Sequence, residues 1–214
     1  MPTLSTSPET LGSLSILAEM LSLRDALDAA EEMQTQTLKT CVRLFGGRHE
    51  YTLTLMHQLA ITWHRQDHHD QAARLEELCL QRREQSLEQD HMNTLQSKES
   101  LAVIYSDQGR QEEAAKMTEE CLSARTRVQG PEHPSTLHTQ YNLAVCRARQ
   151  SRDEESASLA EAAFKHQKRI LGPQHGDTLR SMGVLCIVWK RLGLIEEART
   201  LTEEYDGLVA KRLD

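Results

Sequence analysis

The chain has 214 residues, a formal net charge of −7, 38% hydrophobic residues and 27% charged residues. These values exclude a disordered chain and a membrane protein, and the negative charge disfavours nonspecific binding to nucleic acid phosphates. Aromatic residues make up only 4% of the chain, while the helix formers Leu, Ala, Glu, Gln and Arg are abundant. An all-α fold is therefore favoured over an all-β fold.

The sequence also carries information about the compartment. The N-terminal segment, MPTLSTSPE, lacks the basic and apolar regions of a signal peptide. The longest apolar run, near residues 183–189, is far shorter than the ~20 residues of a membrane span. Five Cys without framework spacing predict free thiols in a reducing compartment. We therefore expect a cytoplasmic protein without a membrane partner.

An eight-residue segment recurs at intervals of 42 residues. Residues 130–137 read GPEHPSTL and residues 172–179 read GPQHGDTL, and the segments at residues 46–53 and 88–95 keep the His and the Thr-Leu pair. A further Thr-Leu pair lies at residues 10–11. A fixed period of this length indicates a repeat architecture. The predicted organisation is a single repeat domain, 1–214, with a degenerate copy at 4–45 and further copies at 46–87, 88–129, 130–171 and 172–213.

Each copy has the pattern of two helices joined by a turn. Leu101, Ala102 and Tyr105 show the three- and four-residue spacing of a buried helix face in one first helix. Gly109 and Gly193 mark the end of the first helix in two copies, because Gly is favoured just past a helix end. Acidic pairs, such as those at residues 112–113 and 154–155, then open the second helix, where carboxylates oppose the helix dipole favourably.

These residues resemble the tetratricopeptide repeat, whose signature has a Leu-small pair, an aromatic residue and a later small residue. The matching positions here are Leu59-Ala60, Trp63 and Ala72; Leu101-Ala102, Tyr105 and Ala114; and Leu185-Cys186, Trp189 and Ala198. Arg147 departs from the aromatic position, and the usual late Pro is absent. The period and linker are similar to kinesin light chain-type repeats, which also occur beside ATPase modules. The resemblance implies an all-α, right-handed superhelical solenoid of about five helical hairpins.

The resemblance further implies a concave groove lined by the first helices. In it, the aliphatic side chains of Ile61, Val103, Val145 and Ile187 would form an apolar floor flanked by basic residues, among them Arg65. Because basic residues flank this floor while the outer helices carry most of the carboxylates, we expect the groove to bind an acidic peptide or helix with apolar anchors. The alternative is that these basic residues are ordinary solvated surface charges. The full expected groove set is His57, Ile61, His64, Arg65, Glu99, Val103, His138, Tyr141, Val145, Arg149, Arg180, Ile187, Lys190 and Arg191.

Other chemistry-bearing residues have structural explanations. The repeated His49, His91, His133 and His175 lie about one repeat apart, roughly 10 Å by helix packing, so they fit linker hydrogen bonding better than one metal site. A His-rich segment at residues 64–70 is interpreted as a polar turn, with a weak metal site as the alternative. Four cysteines are expected in the core, namely Cys79, Cys121, Cys146 and Cys186, although a catalytic Cys-His arrangement stays open. No nucleotide-binding motif is found, and we predict neither cofactor nor metal.

The sequence thus predicts a non-catalytic protein interaction scaffold that binds a peptide or protein ligand. Two alternatives stay open: an enzyme or biosynthetic accessory protein that uses the concave face as a small-molecule pocket, and a regulatory fragment of an ATPase-repeat protein. Apolar residues are abundant in the last copy, so we also expect self-association through the C-terminal repeat. The identity of the partner and the pathway are not encoded in any motif.

Overall fold

The computed structural model describes the backbone of residues 8–213 and the side chains of residues 11–22 and 24–210. The first-copy linker predicted from Leu4 begins outside this part of the chain. All regular elements of the described residues are helices, and none of them combines the length and apolar character that a membrane crossing requires. They are α1 Pro8–Leu23, α2 Leu27–Phe45, α3 Glu50–Arg65, α4 His69–Ser86, α5 Met92–Asp107, α6 Gln111–Gln129, α7 Pro134–Arg149, α8 Asp153–Ile170, α9 Gly176–Arg191 and α10 Ile195–Leu213.

The helices form two compact units, Met1–Gln108 with α1–α5 and Gly109–Asp214 with α6–α10. Within each unit every helix packs on the next one along the chain, and odd-numbered helices also contact each other: α1 with α3, α3 with α5, and α7 with α9. Stacked antiparallel hairpins produce this order. The predicted all-α helical repeat fold is confirmed, whereas the assignment of one repeat domain with the stated copy bounds stays a prediction.

The turns between the helices of each hairpin share one backbone conformation. The residue at the same place in all five copies is left-handed, with φ from 57° at Ser151 to 82° at Gly109. Gly adopts this region without strain, whereas a residue with a Cβ does so at a cost. The Gly109 and Gly193 turns predicted from the sequence are therefore confirmed. The other three turns have a polar residue at this place: Asp25, Asp67 and Ser151.

The repeated histidines cap the odd-numbered helices. His133 has extended backbone angles, φ −65° and ψ 138°, and its Nδ1 accepts a hydrogen bond of 3.2 Å from the backbone N–H of Ser135. The other three copies repeat this bond at the same length, from the N–H of Tyr51, Asn93 and Asp177. An N-cap side chain satisfies one of the free N–H groups of the first turn. Linker hydrogen bonding is thus confirmed for these residues.

Small residues fill the place where the two helices of each hairpin cross. The predicted crossing residues are fully buried in all five copies: Ala30, Ala72, Ala114, Ser156 and Ala198. The five cysteines are free thiols, as the sequence predicts, and all of them are buried, including Cys41, for which no core position was predicted. Burial raises the pKa of Cys79 to about 11, and the nearby carboxylate of Glu76 adds to this effect. Close helix approach lets the core rely on small side chains, which explains the low aromatic content.

The aromatic position of the repeat donates a hydrogen bond to the preceding even-numbered helix. Trp63 Nε1 donates to Glu31 and Tyr105 Oη donates to Glu77, both at 2.8 Å. Arg147, which departs from the aromatic pattern, is buried at the same place and donates to Glu119. These three copies therefore share a hydrogen-bond donor at this position rather than an aromatic ring. The sequence indicates Glu77 and Glu119 only as charged residues of the outer helices. In the structure, each of these carboxylates accepts a hydrogen bond that joins two helices.

Candidate peptide-binding surface

The expected groove residues lie on the odd-numbered helices, and the structure divides them between the two units. In the N-terminal unit, Val103 is exposed and Ile61 half-buried; in the C-terminal unit, Ile187 is exposed and Val145 half-buried. We use the term N-terminal surface for Ile61, His64, Arg65, Glu99 and Val103 on α3 and α5. The C-terminal surface consists of residues on α7 and α9: His138, Tyr141, Val145, Arg149, Arg180, Ile187, Lys190 and Arg191.

His57 does not belong to the N-terminal surface. Its side chain is only 5% exposed, and its Nδ1 lies 2.9 Å from Oε1 of Glu76, which is fully buried on α4. The resemblance to the repeat family implies that His57, one turn before Ile61, lies on the groove side. No sequence motif indicates that a carboxylate lies opposite it in the hairpin core. His57 therefore forms a buried ionisable pair with Glu76, and the expectation that it lines a groove is wrong.

Two of the expected basic groove residues hold neighbouring helix ends together. Arg65 Nη1 donates to the backbone carbonyl of Ser22, at the end of α1, and its Nη2 bonds Asp25. Arg191, at the same place three copies later, donates to the carbonyl of Ala148 at 2.8 Å and bonds Asp153 at 3.0 Å. A cation near a helix C-terminus satisfies free carbonyls and opposes the negative dipole end. Their guanidinium groups are therefore engaged within the protein.

The N-terminal surface is not basic. His64 Nε2 lies 2.8 Å from Oδ2 of Asp107, so its imidazole faces a carboxylate. Gln58 on α3 bonds Glu19 on α1, and Glu99 adds another acid on α5. With Arg65 bound to the end of α1, these groups leave an apolar surface bordered mainly by acids. The basic groove predicted from the sequence is therefore not found in this unit.

The C-terminal surface contains a cluster of polar groups around Asp177. Its carboxylate lies 3.4 Å from His138 Nδ1 and also bonds Arg180. Burial alone would raise the pKa of Asp177, but the hydrogen bond from Arg180 and the charge of His138 hold it below the ordinary value. The rings of His138 and Tyr141 lie 6.0 Å apart, and burial raises the pKa of the Tyr141 hydroxyl. This cluster fixes one end of the surface.

Sequence reasoning missed Asp177, although a signal was present. An acid three residues before Arg180 on one helix predicts an intrahelical ion pair. Gly183 lies one turn further along α9, at the place that Tyr141 occupies in α7, and a Cβ built there has no atom within 4 Å. The surface therefore has open space at Gly183, one turn before Ile187. Lys190 follows Ile187 by three residues and is exposed, with no ion pair to another described residue.

The described residues give little support to a metal centre. His64 and His69 lie with ring centroids 5.2 Å apart, and a shallow hollow beside them is lined by residues that include Asp67, His68 and Asp70. Among the residues whose side chains are described, no group of three or more His, Cys, Asp or Glu could hold a metal ion. The polar-turn interpretation of this segment thus fits its geometry.

Sequence and structure comparisons define the class of protein. The tetratricopeptide repeat family profile matches residues 9–85 and 93–165, which is more than half of the chain. The chain therefore belongs to the tetratricopeptide repeat family, and its repeats are of the kinesin light chain type. A search of curated protein sequences finds no match.

Solved structures of similar fold cover nearly the whole chain. The putative kinesin light chain of Podosopora anserina, with nearly identical TPR-like repeats, is 25% identical over 96% of this chain and 98% of that chain, with a TM-score of 0.78. BtubC from P. vanneervenii is 19% identical over 96% and 84%, with a TM-score of 0.80. Bacillus thuringiensis PlcR, in complex with the peptide PapR7 and DNA, is 16% identical over 94% and 69%, with a TM-score of 0.73.

Proposed function

We propose that the protein is a non-catalytic interaction module whose C-terminal surface binds a segment of a partner protein. The observation that carries this proposal is the exposure of Ile187, at 54%, beside the open space at Gly183. Val145 adds half-buried apolar area to the same surface, and apolar area rimmed by polar groups is typical of interaction sites. Family membership supports a binding role, as does the peptide present in the PlcR structure of similar fold.

The partner segment is proposed to carry acidic residues next to apolar anchors. Lys190 is exposed on this surface and makes no ion pair to another described residue, whereas the neighbouring acid, Asp177, is paired with Arg180. Charges of this kind steer a complementary partner and fix its register more than they raise affinity. The N-terminal surface, with Glu99 and Asp107, is not part of the acidic-ligand proposal. A cytoplasmic location fits such a partner and remains part of the proposal.

A matched pair of substitutions tests the proposal. Ile187→Asp should remove most of the partner proteins captured by the full chain, because docking would bury an unpaired charge. Val128→Asp is the control, since Val128 on α6 is 53% exposed and lies outside the surface. Circular dichroism should show the same helix content in both variants. Equal capture by both variants would contradict the proposed binding surface.

The acidic character of the ligand is tested separately. Peptides selected from a random library on the full chain should be enriched in Asp and Glu beside apolar residues. Lys190→Glu should weaken their binding at least tenfold and reduce its dependence on salt concentration. Selected peptides without acidic residues would overturn the charge assignment while leaving the Ile187 test intact. Arg191→Glu is unsuitable here, because Arg191 also binds the end of α7.

A second function, an enzyme or accessory protein with a small-molecule pocket, remains a prediction from the sequence. The C-terminal unit has a hollow beside Trp189, lined by Glu161 and Lys165 among others. It is wide open to solvent and lies away from the cluster at Asp177. No observation favours this function over partner binding.

A further inference from the structure

The junction of α8 with α9 lacks the hydrogen bonds that close the earlier junctions. Where α2 meets α3, Trp63 Nε1 donates to Glu31, and Gln66 Nε2 donates to Glu31 and Asp28. Similar bonds cross the junctions of α4 with α5 and of α6 with α7. In the junction of α8 with α9, the residues equivalent to these four are Trp189, Ala157, Leu192 and Glu154.

Two of these residues account for the missing bonds. Ala157 cannot accept the hydrogen bond that Glu31 accepts from Trp63, and Leu192 has no amide group to donate. Trp189 consequently makes no hydrogen bond to another described residue. A hollow with a volume of about 540 Å³ lies at this place, between α8 and the turn from α9 to α10.

The rim of the hollow is apolar. Leu194 lines it and is 40% exposed, and the next residue, Ile195, is 56% exposed. This exposure belongs to the turn itself, because His68 and Arg152 are exposed at the same place as Leu194 although further helices of their own units follow them. The turn at residues 192–195 reads LGLI, whereas the equivalent segments at residues 66–69, 108–111 and 150–153 read QDHH, QGRQ and QSRD.

An earlier junction shows which group binds a carboxylate at the place of Glu161. Between α6 and α7, the equivalent Glu119 accepts a hydrogen bond from the guanidinium of Arg147, and Arg147 stands at the place of Trp189. Glu161 lines the hollow and bonds no described residue. The carboxylate is therefore kept in α8, while α9 does not supply the guanidinium.

We propose that the hollow beside Trp189 binds an Arg side chain of a partner protein, next to an apolar residue of the same segment. The guanidinium would take the place of the one that Arg147 supplies in the earlier junction: it would bond Glu161 and stack on the indole of Trp189. The indole N–H would donate to a backbone carbonyl of the segment. The apolar residue would cover Leu194, which removes exposed apolar surface from water.

Charge complementarity favours a cation in this hollow. Its lining has the carboxylates of Glu154 and Glu161 against the single ammonium group of Lys165. None of these three residues makes an ion pair to another described residue. An Arg side chain fits better than a Lys side chain, because a guanidinium is planar, stacks on an aromatic face and forms two parallel hydrogen bonds with a carboxylate.

This site is separate from the C-terminal surface. Trp189 follows Ile187 by two residues, which places the two side chains roughly 200° apart around α9. Leu194 and Ile195 are apolar residues of the last copy that stay exposed, so a second copy of the chain is the competing occupant. The other apolar residues that led us to expect self-association are partly in the core, for example Leu185, Val188 and Leu201.

The fluorescence of Trp189 provides a direct assay. The chain has two Trp residues, so Trp63→Phe leaves the indole of the hollow as the single reporter in the full chain. The probe is a blocked peptide, Gly-Leu-Arg-Leu-Gly, and it should change this fluorescence in a saturable way. The same peptide with Gln in place of Arg should bind at least tenfold more weakly, and the peptide with Lys several-fold more weakly.

Variants of the chain locate the bound peptide. The double variant Ala157→Glu/Leu192→Gln introduces the residues of the α2–α3 junction, so it should close the hollow and weaken binding at least tenfold at unchanged helix content. Glu161→Gln should weaken binding of the Arg peptide several-fold and leave the weak binding of the Gln peptide unchanged. Glu120→Gln is the matched control, because Glu120 is an exposed acid on α6 outside the hollow; it should change neither.

Several results would overturn the proposal. Equal binding of the Arg and Gln peptides would make the hollow an apolar site without preference for a cation. Binding that neither Glu161→Gln nor the double variant weakens would place the peptide elsewhere, and no fluorescence change up to millimolar peptide would remove the site. Arginine amide that binds as tightly as the peptide would make a small cation the ligand. A dimer in sedimentation that the double variant dissociates would make a second copy the occupant.

Discussion

The buried pair of His57 and Glu76 gives the sharpest stability prediction. Both side chains are almost fully removed from solvent, at 5% and 0% exposure, and their atoms meet at 2.9 Å. No described residue bonds the other polar atoms of the pair, His57 Nε2 and Glu76 Oε2. Removing one partner of such a pair leaves a desolvated polar group, whereas replacing both partners removes the problem altogether.

The two single variants should differ in cost. His57→Ala leaves a buried carboxylate without its partner, and breaking a buried pair in this way costs about 3–5 kcal/mol. Glu76→Ala leaves a buried imidazole without its hydrogen-bond partner, so a cost of about 1–3 kcal/mol is expected. Both losses are large against a typical unfolding free energy of ~5–15 kcal/mol.

The chain itself contains a natural replacement for the pair. The equivalent positions two copies later hold Tyr141 and Ala160. The double variant His57→Tyr/Glu76→Ala conserves much of the side-chain volume, so its cost should stay below ~1.5 kcal/mol. This value is well under the sum of the single variants, because the two residues are in direct contact.

Urea unfolding followed by circular dichroism, with hydrogen exchange in α3 and α4, measures these differences. The reasoning would be refuted if His57→Ala cost less than about 1 kcal/mol, the level of an exposed ion pair. It would also be refuted if the double variant cost as much as the two single variants together, since the pair would then contribute no coupling.

Four further predictions concern the repeat framework. Ser151→Gly should raise the unfolding free energy by about 0.5–1 kcal/mol and Gly193→Ser should lower it by a similar amount, because both residues have positive φ; urea midpoints check this. His133→Ala should lower it by ~1 kcal/mol and His133→Asp should not, since Asp also caps a helix. Arg147→Tyr should keep the thermal midpoint within a few degrees, whereas Arg147→Ala should lower it clearly. Because burial raises the pKa of Cys79 to about 11, this thiol should resist alkylation at pH 8 until the chain unfolds; rapid labelling of the native protein would contradict its burial.

The fold could be predicted from the sequence because its signals repeat. The interval between His133 and His175 set the length of the copies, and the Gly109 and Gly193 turns set the ends of the first helices. Each of these features depends on local backbone geometry, such as an N-cap or a left-handed turn. Local geometry is what a sequence pattern expresses most directly.

The site could be predicted only in part, because it depends on contacts between separate helices. The family resemblance implied that Ile187 lines the groove, and its side chain is exposed in the structure. It gave no means to see that Arg65 and Arg191 reach back to the preceding odd-numbered helix, or that Glu76 lies opposite His57. Arg147 seemed a departure from the pattern, yet it keeps the hydrogen bond that the aromatic residues make. The periodicity does not show which side chain of a neighbouring helix, about 40 residues away in the chain, a given residue contacts.

Site-specific photocrosslinking tests the central claim most directly. A benzophenone amino acid at position 187 should trap one or a few partner proteins in cells, and peptide mapping should place the crosslinks in acidic segments. The same group at position 128, which is equally exposed, should give at most background adducts. Identical adducts from both positions, or none from position 187, would contradict the account of the C-terminal surface as the partner-binding surface.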